Sequence, residues 1–241
     1  EARKRLVLSR MRKQGYINAD EQRIFSSPTP LSRQIVNGSI FASYASECGC
    51  VTAYSPEAQS AAESAIAMCG GDHYLSVVVI DAQTERLVAA AANTFEDISR
   101  SRRQAGSIVK PILCYAPALE ENIITPVTPL LDKPTNFGGY SPRNYKGLYY
   151  GWVTATESLC RSLNVPAVRL LDMVGVERSK AYAERFGLEY SASDRGLSLA
   201  LGASSRGATL LSLAKAYCNF ARCDGKAVGR ETAYLINHML R

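Results

Sequence analysis

The stretch from residue 74 to residue 92 constrains the fold of this 241-residue chain most strongly. Two runs with the composition of strands, Tyr74 to Asp81 and Arg86 to Ala92, are separated only by Ala82-Gln83-Thr84-Glu85. Runs joined so closely predict an antiparallel β-hairpin. The first run contains Val77-Val78-Val79-Ile80, which is apolar on both faces, so we expect other elements to cover this first strand on both sides.

Most other periodic segments have helical spacing. The clearest start is Ser55-Pro56-Glu57, where serine suits the N-cap, proline the first position and glutamate the first turn. Helices are predicted over residues 1–14, 55–69, 107–121, 153–161, 167–174, 176–186, 209–221 and 231–240. Between two of them, residues 124–152 form a long stretch rich in proline, glycine and tyrosine, which either lines a substrate groove or packs on itself. The pattern predicts a mixed, mostly helical fold with one hairpin.

The composition excludes several classes of protein. No window holds 18 apolar residues, so no membrane-spanning helix is predicted. The net charge is +6, and six basic residues face one acidic residue in the first 14. We interpret that segment as a solvated helix face, because no nucleic-acid-binding motif accompanies it.

Seven cysteines are scattered without a C-x-x-C pair, and only His73 and His238 could complete a metal site, so neither zinc nor any other cofactor is predicted. Cys114, Cys160 and Cys218 fall in apolar helical segments and are predicted to be core residues. Cys48 and Cys50, or either of them with Cys69, remain candidates for pairing in an oxidising compartment.

The candidate chemistry lies in Gly106-Ser107-Ile108-Val109-Lys110-Pro111. If Ser107 begins a helix, Lys110 lies on the same face one turn later, where its amine can take the proton of the serine hydroxyl. Gly106 allows a sharp turn into the helix, and Pro111 is tolerated in the first turn. The helix N-terminus would stabilise a developing oxyanion.

A second Ser-x-x-Lys, Ser212-Leu213-Ala214-Lys215, shows that this pattern alone is weak. It lies in a run of amphipathic spacing, and we interpret Ser212 and Lys215 as the outer face of an ordinary helix. The first copy differs by its preceding glycine and following proline.

The chain contains a single Ser-x-Asn, Ser162-Leu163-Asn164, just before Pro166. Residues before a proline avoid helix, which predicts an exposed turn between two helices. In such a turn a hydroxyl and an amide can point the same way, the first to relay a proton and the second to hold a peptide carbonyl or orient Lys110. The alternative is that Asn164 only caps the turn.

Together these two motifs resemble the first two motifs of penicillin-binding proteins and related serine acyl transferases. Leu131-Asp132-Lys133-Pro134 and Tyr140-Ser141-Pro142-Arg143-Asn144-Tyr145 resemble the segment that the family carries between them. Residues 5–21 resemble the end of the glycosyltransferase domain of the bifunctional, class A members. The resemblance implies an α/β transpeptidase fold like that of serine β-lactamases, with residues 1–48 as glycosyltransferase tail and linker and residues 49–241 as the N-terminal and helical part of the transpeptidase domain.

The resemblance implies that Ser107 is acylated by the D-Ala-D-Ala end of a peptidoglycan stem peptide and passes the acyl group to an amine of a neighbouring stem. Lys110 would accept the proton, Ser162 would relay it to the leaving D-alanine, and Asn164 would hold the substrate amide. The backbone N–H of Ser107 would supply half of the oxyanion hole. β-Lactams would acylate the same serine, and the protein would lie outside the cytoplasm, anchored to the membrane by an upstream segment.

One departure from the family concerns its third motif, Lys-Thr/Ser-Gly on a strand, which does not occur in the chain. The family's layout places that motif, more strands and one oxyanion N–H beyond Arg241. We therefore expect these 241 residues to be incomplete, cut or paired with the rest of the polypeptide as a second chain, and to react weakly with penicillin by themselves.

Three other functions remain open. The first is a β-lactamase or β-lactam sensor, although no Glu-x-x-Leu-Asn follows Ser162, so hydrolysis should be slow. The second is a catalytically incomplete scaffold of a cell-wall synthase, and the third and least favoured is a basic nucleic-acid-binding module.

Overall fold

The computed structural model describes residues 2–13, 18, 19, 22, 41, 52–69, 74–93 and 101–241. Its helices are α1 Ala2–Lys13, α2 Pro56–Cys69, α3 Ala116–Glu120, α4 Ala155–Cys160, α5 Asn164–Val174, α6 Val176–Arg185, α7 Leu210–Arg222 and α8 Arg230–Met239. Its strands are β1 Ser76–Ile80, β2 Leu87–Ala92, β3 Arg102–Arg103, β4 Pro129–Asp132, β5 Gly151–Thr154 and β6 Ala208–Thr209. The pairing considered for Cys48 and Cys50 lies outside the described residues.

The predicted hairpin is β1 paired antiparallel with β2, with an irregularity between Val79 and Ile80. Other elements pack on both faces of this hairpin: residues of α2 cover one side and Leu211 of α7 covers the other. The burial falls on β2, however, and β1 is only half buried, with Val79 36% exposed. The apolar run is therefore not the enclosed strand that was predicted. Within the described residues β1 pairs with β2 alone, whereas the other edge of β2 also accepts hydrogen bonds from the N–H groups of Ala53 and Ser55.

Two further pairs of strands were not predicted from the sequence. β4 pairs antiparallel with β5, and the two-residue strands β3 and β6 pair although they lie far apart in the chain. β3 and β6 are two residues each, and β4 and β5 are four. Neither pair has the length or the alternation of apolar and polar residues from which strands are predicted. The prediction of a single hairpin was wrong on this point.

The centre of the molecule is the helical segment 106–120, predicted over 107–121. It begins as a 3₁₀ turn, Gly106–Val109, continues as a π-helical turn, Pro111–Tyr115, and ends as α3. Its residues from 112 to 116 are completely buried and pack against α5, α6 and the 3₁₀ turn Leu197–Leu201. The segment that carries the candidate nucleophile is thus also the core of the fold.

Two expectations about individual positions were wrong. Cys114 and Cys218 are buried as predicted, but Cys160 is exposed at the end of α4, where its thiol donates to the carbonyl of Met239. Helix α5 begins at Asn164, before Pro166, because a proline in the first helical turn interrupts no hydrogen bond. In the part of the chain that the structure describes, no helix is long and apolar enough to cross a membrane.

Candidate active site

The candidate nucleophile lies on a tight turn at the surface. Gly106 has φ +61°, a conformation open to glycine, and the 3₁₀ turn then places residues three apart directly above one another. Ser107 and Lys110 therefore share a face, as the spacing predicts. Ser107 is exposed, and within the described residues its hydroxyl has no hydrogen-bond partner. The lysine side chain runs inward and is 1% exposed.

Contacts from the C-terminal half of the chain fix this turn. The Gln104 side chain donates to the Ser204 carbonyl at 2.7 Å and accepts from the Ser204 N–H at 2.9 Å. Tyr217 on α7 donates its hydroxyl to the carbonyl of Ile108 at 2.7 Å. The position of the turn is therefore set by residues about a hundred positions later.

The amine of Lys110 donates to three oxygen atoms of the Ser162–Asn164 turn. These are the Ser162 carbonyl at 2.6 Å, the Asn164 Oδ1 at 2.7 Å and the Ser162 Oγ at 3.1 Å. An ammonium group has three N–H bonds, so the contacts suit the charged form. The carbonyl and the amide oxygen can only accept, whereas the hydroxyl can reverse and donate to a neutral amine. The structure thus brings Lys110, Ser162 and Asn164 together, and it shows no hydrogen bond between Lys110 and Ser107.

The backbone of Ser162 explains how one residue offers two acceptors. Ser162 has φ +52°, and it follows α4 as the left-handed residue that ends many helices. A non-glycine residue in this region costs about 1 kcal/mol. In return its carbonyl and hydroxyl oxygen atoms both reach the lysine amine.

Burial changes the ionisation of Lys110. Removal from water penalises the ammonium form and lowers the pKa to about 8, against a smaller opposing effect of the Cys114 thiol. Burial also raises the pKa of Cys114 itself to about 12. About a tenth of Lys110 is then neutral at pH 7, whereas an exposed lysine is almost wholly charged. A neutral amine is the form that can accept a proton.

The second Ser-x-x-Lys serves a structural purpose. Ser212 accepts from the N–H of Thr209 at 3.1 Å, and Thr209 accepts from the N–H of Ser212 at 3.0 Å, which is a capping box at the start of α7. Ser212 is half buried rather than on the outer face. Its hydroxyl is already engaged, unlike that of Ser107.

In the long loop before α4, several aromatic side chains are exposed to solvent and do not pack against the loop. Tyr145 is 82% exposed and Trp152 is 69% exposed, and Tyr150 lies under the guanidinium of Arg161 at 4.6 Å.

The loop also supplies Asn144, which sequence reasoning did not single out as functional although it lies in a segment quoted for the resemblance. Its amide contacts the backbone at Asn164.

Part of this sequence is similar to known proteins. Residues 75–222 match the model described as "Penicillin binding protein transpeptidase domain", a range that contains Ser107, Lys110, Ser162 and Asn164. The chain is 40% identical over 119 residues to penicillin-binding protein 1F of Bacillus subtilis, covering 49% of this chain and 16% of that protein. It is also 40% identical over 134 residues to penicillin-binding protein 1C of Escherichia coli, covering 54% of this chain and 17% of that protein. The chain thus spans about a sixth of the length of these relatives.

Proposed function

Because this chain belongs to the penicillin-binding protein transpeptidase family, we propose that it carries the nucleophile of a D,D-transpeptidase that cross-links peptidoglycan stem peptides. The proposal assigns Ser107 as nucleophile, Lys110 as proton acceptor, Ser162 as proton relay and Asn164 as the residue that binds the substrate amide. The α/β fold and the family were expected from the resemblance and are confirmed. The roles of these four residues and the reaction are the proposal.

The observation that carries this proposal is the buried Lys110 amine, held by Ser162 and Asn164 and with its pKa lowered to about 8. A surface lysine that formed ion pairs would keep its charge and would be useless as a base. Here burial favours the neutral amine, and the contact with a hydroxyl gives the proton a route onward.

Acylation then proceeds in two parts. The Ser107 oxygen attacks the carbonyl carbon of the penultimate D-alanine while its proton moves to the neutral Lys110 amine. The oxyanion forms at the N-terminus of the helical segment, whose first backbone N–H groups, that of Ser107 among them, have no acceptor within the helix. The carbon–nitrogen bond to the terminal D-alanine then breaks, and the leaving nitrogen receives a proton from the Ser162 hydroxyl, which Lys110 replaces.

Transfer repeats these steps in reverse. An amine of a second stem peptide attacks the ester carbonyl of the acylated Ser107 and loses its proton through the same lysine and serine. The ester bond breaks, the serine oxygen regains a proton, and a new peptide bond joins the two stems. A β-lactam ring would acylate Ser107 by the first step, and its retained leaving group would block the second.

The reaction is tested with the protein at its native length, a synthetic peptide ending in D-Ala-D-Ala and a primary amine acceptor. We expect release of D-alanine together with a peptide–acceptor product in mass spectrometry, both abolished by benzylpenicillin. The same peptide ending in L-alanine is the control and should release nothing. Release unaffected by penicillin would contradict the proposal, and rapid turnover of penicillin would instead support a β-lactamase.

The pKa of Lys110 predicts a dependence of acylation on pH. The neutral amine is the reactive form, so the rate constant for penicillin acylation should rise about tenfold from pH 6 to pH 7 and level off above pH 8. Stopped-flow or quenched labelling between pH 6 and 9 measures this rate. Lys110→Arg, which keeps the charge, should show a rate near zero at every pH. A rate that is flat across this range in the unmodified protein would exclude Lys110 as the base.

The resemblance also leads to proposals about location and domain structure. We place the protein outside the cytoplasm at the membrane, with residues 1–48 as the end of a glycosyltransferase domain and residues 49–241 as part of the transpeptidase domain. Helix α1 was predicted over residues 1–14 and is present. The domain boundary itself stays a prediction.

A further inference from the structure

Asp132 and Asn144 form a buried polar pair that the four proposed catalytic residues do not include. Asp132, at the end of β4, is fully buried, and Asn144 is 6% exposed. The Asn144 amide nitrogen donates to both carboxylate oxygens of Asp132 at 2.8 and 2.9 Å and to the carbonyl of Leu148 at 2.9 Å. A third bond to the carboxylate comes from the N–H of Tyr150 at 2.9 Å. A buried carboxylate with this many donors is held in one orientation.

The carboxylate decides which way the Asn144 amide faces. An ionised carboxylate only accepts hydrogen bonds, so the NH₂ group of Asn144 must point toward Asp132. The oxygen of the same amide then points away, toward the start of α5. It accepts there from the backbone N–H of Asn164 at 2.8 Å and from that of Val165 at 3.3 Å.

These two bonds supply a cap that α5 does not have locally. Its N-cap residue is Leu163, whose side chain has no acceptor. The first N–H groups of a helix need an outside partner, and a side-chain cap is worth about 1 kcal/mol. Asn144 therefore fixes the backbone of the residue whose side chain contacts Lys110.

The residue before Asn144 fixes the side chain of Asn164 as well. Its amide nitrogen donates to the Arg143 carbonyl at 2.7 Å, so its amide oxygen must face the other way, where it accepts from Lys110 at 2.7 Å. Asp132 thus orients Asn144, Asn144 holds the backbone of Asn164, and the Arg143 carbonyl turns the Asn164 amide oxygen toward the lysine amine.

We propose that Asp132 and Asn144 are positioning residues that hold Asn164 beside Lys110 and keep water from its amine. Neither touches the substrate or the reacting atoms. The inference rests on the proposed function, because it assigns to the pair an effect on proton transfer to Lys110.

The test is the pH profile of penicillin acylation for Asn144→Ala in the native-length protein. Without its cap, the start of α5 loosens and water reaches Lys110, so the midpoint of the profile should move upward from about 8. The rate at pH 7 should fall on the order of tenfold or more, as for other supporting residues around a reactive group.

Within the described residues, Cys114 is the only titratable group whose charge contributes to the pKa of Lys110. Burial raises the pKa of Cys114, Tyr115 and Tyr190, so none of them titrates between pH 6 and 9.

A matched control comes from the same loop. Asn136 also accepts a hydrogen bond from a backbone N–H, that of Gly139 at 2.7 Å, but it is exposed, and within the described residues its side chain makes no hydrogen bond to α5. Asn136→Ala should leave both rate and midpoint unchanged. If Asn144→Ala does not fold, Asp132→Asn is tested in its place. Its isosteric amide no longer forces a single orientation on the Asn144 side chain, so the midpoint of the pH profile should move in the same direction by a smaller amount.

The possible outcomes separate the two proposals. No labelling of the unmodified protein by penicillin would overturn the proposed function. Labelling of the unmodified protein, with a lower labelled fraction but an unmoved midpoint in the variants, would show that the pair only stabilises the fold and would overturn this inference alone.

Discussion

Substitution of Ser107 by alanine is expected to abolish covalent labelling by fluorescent penicillin and the release of D-alanine. The hydroxyl supplies the only atom that forms the acyl bond, and removing a serine nucleophile lowers activity by at least ~10³-fold in serine acyl-transfer enzymes. The fold should survive, because Ser107 is exposed and its hydroxyl has no hydrogen-bond partner within the described residues. A change in unfolding free energy within about 0.5 kcal/mol is expected. Gel fluorescence and intact-mass spectrometry measure the first effect, and thermal melting measures the second.

The matched control is Ser212→Ala, which removes the serine of the other Ser-x-x-Lys. It breaks the capping box of α7, so the protein should lose about 1 kcal/mol of stability and still be labelled fully. Labelling retained in Ser107→Ala but lost in Ser212→Ala would show that the wrong serine has been assigned.

Substitution of Gly202 by alanine is expected to inactivate the protein without touching a proposed catalytic residue. Gly202 ends the 3₁₀ turn Leu197–Leu201 with φ +83°, and a Cβ atom there would lie 2.2 Å from the nitrogen and 2.4 Å from the oxygen of Gly106. These are backbone atoms of the turn that presents Ser107, so the turn itself must move. Displacement of a nucleophile by about 1 Å costs on the order of 100-fold in rate, and we expect at least that loss of penicillin acylation.

Gly187→Ala is the control that separates the effect of a steric clash from the effect of a positive φ. Gly187 has φ +79°, close to that of Gly202, but a Cβ atom there meets nothing within 4 Å. Both variants pay the left-handed penalty of about 1 kcal/mol, which lowers the melting temperature, and only Gly202→Ala should lose acylation. Equal acylation rates in the two variants would mean that the contact between Gly202 and Gly106 does not set the position of the nucleophile.

Local patterns in the sequence predicted most of the helices and the first hairpin. Ser55-Pro56-Glu57 begins α2 as expected, and the serine hydroxyl accepts from the N–H of Ala58 at 3.1 Å. These features are governed by capping and by periodicity, which act within one or two turns. The pairs β3–β6 and β4–β5 escaped prediction because their partners are distant in the chain and their residues show no alternation.

By itself, the sequence determined the spacing of Ser107 and Lys110 on one helical face, the helix ends and the resemblance to a family that the match to residues 75–222 confirms. Only the tertiary structure decided which of the two Ser-x-x-Lys patterns has a buried lysine and, within the described residues, a serine hydroxyl with no hydrogen-bond partner. Burial and the contact of Lys110 with Ser162 and Asn164 depend on segments more than fifty residues apart. The pKa of an amine follows from the water and charges that surround it, and no spacing along the chain specifies those before the segments pack together.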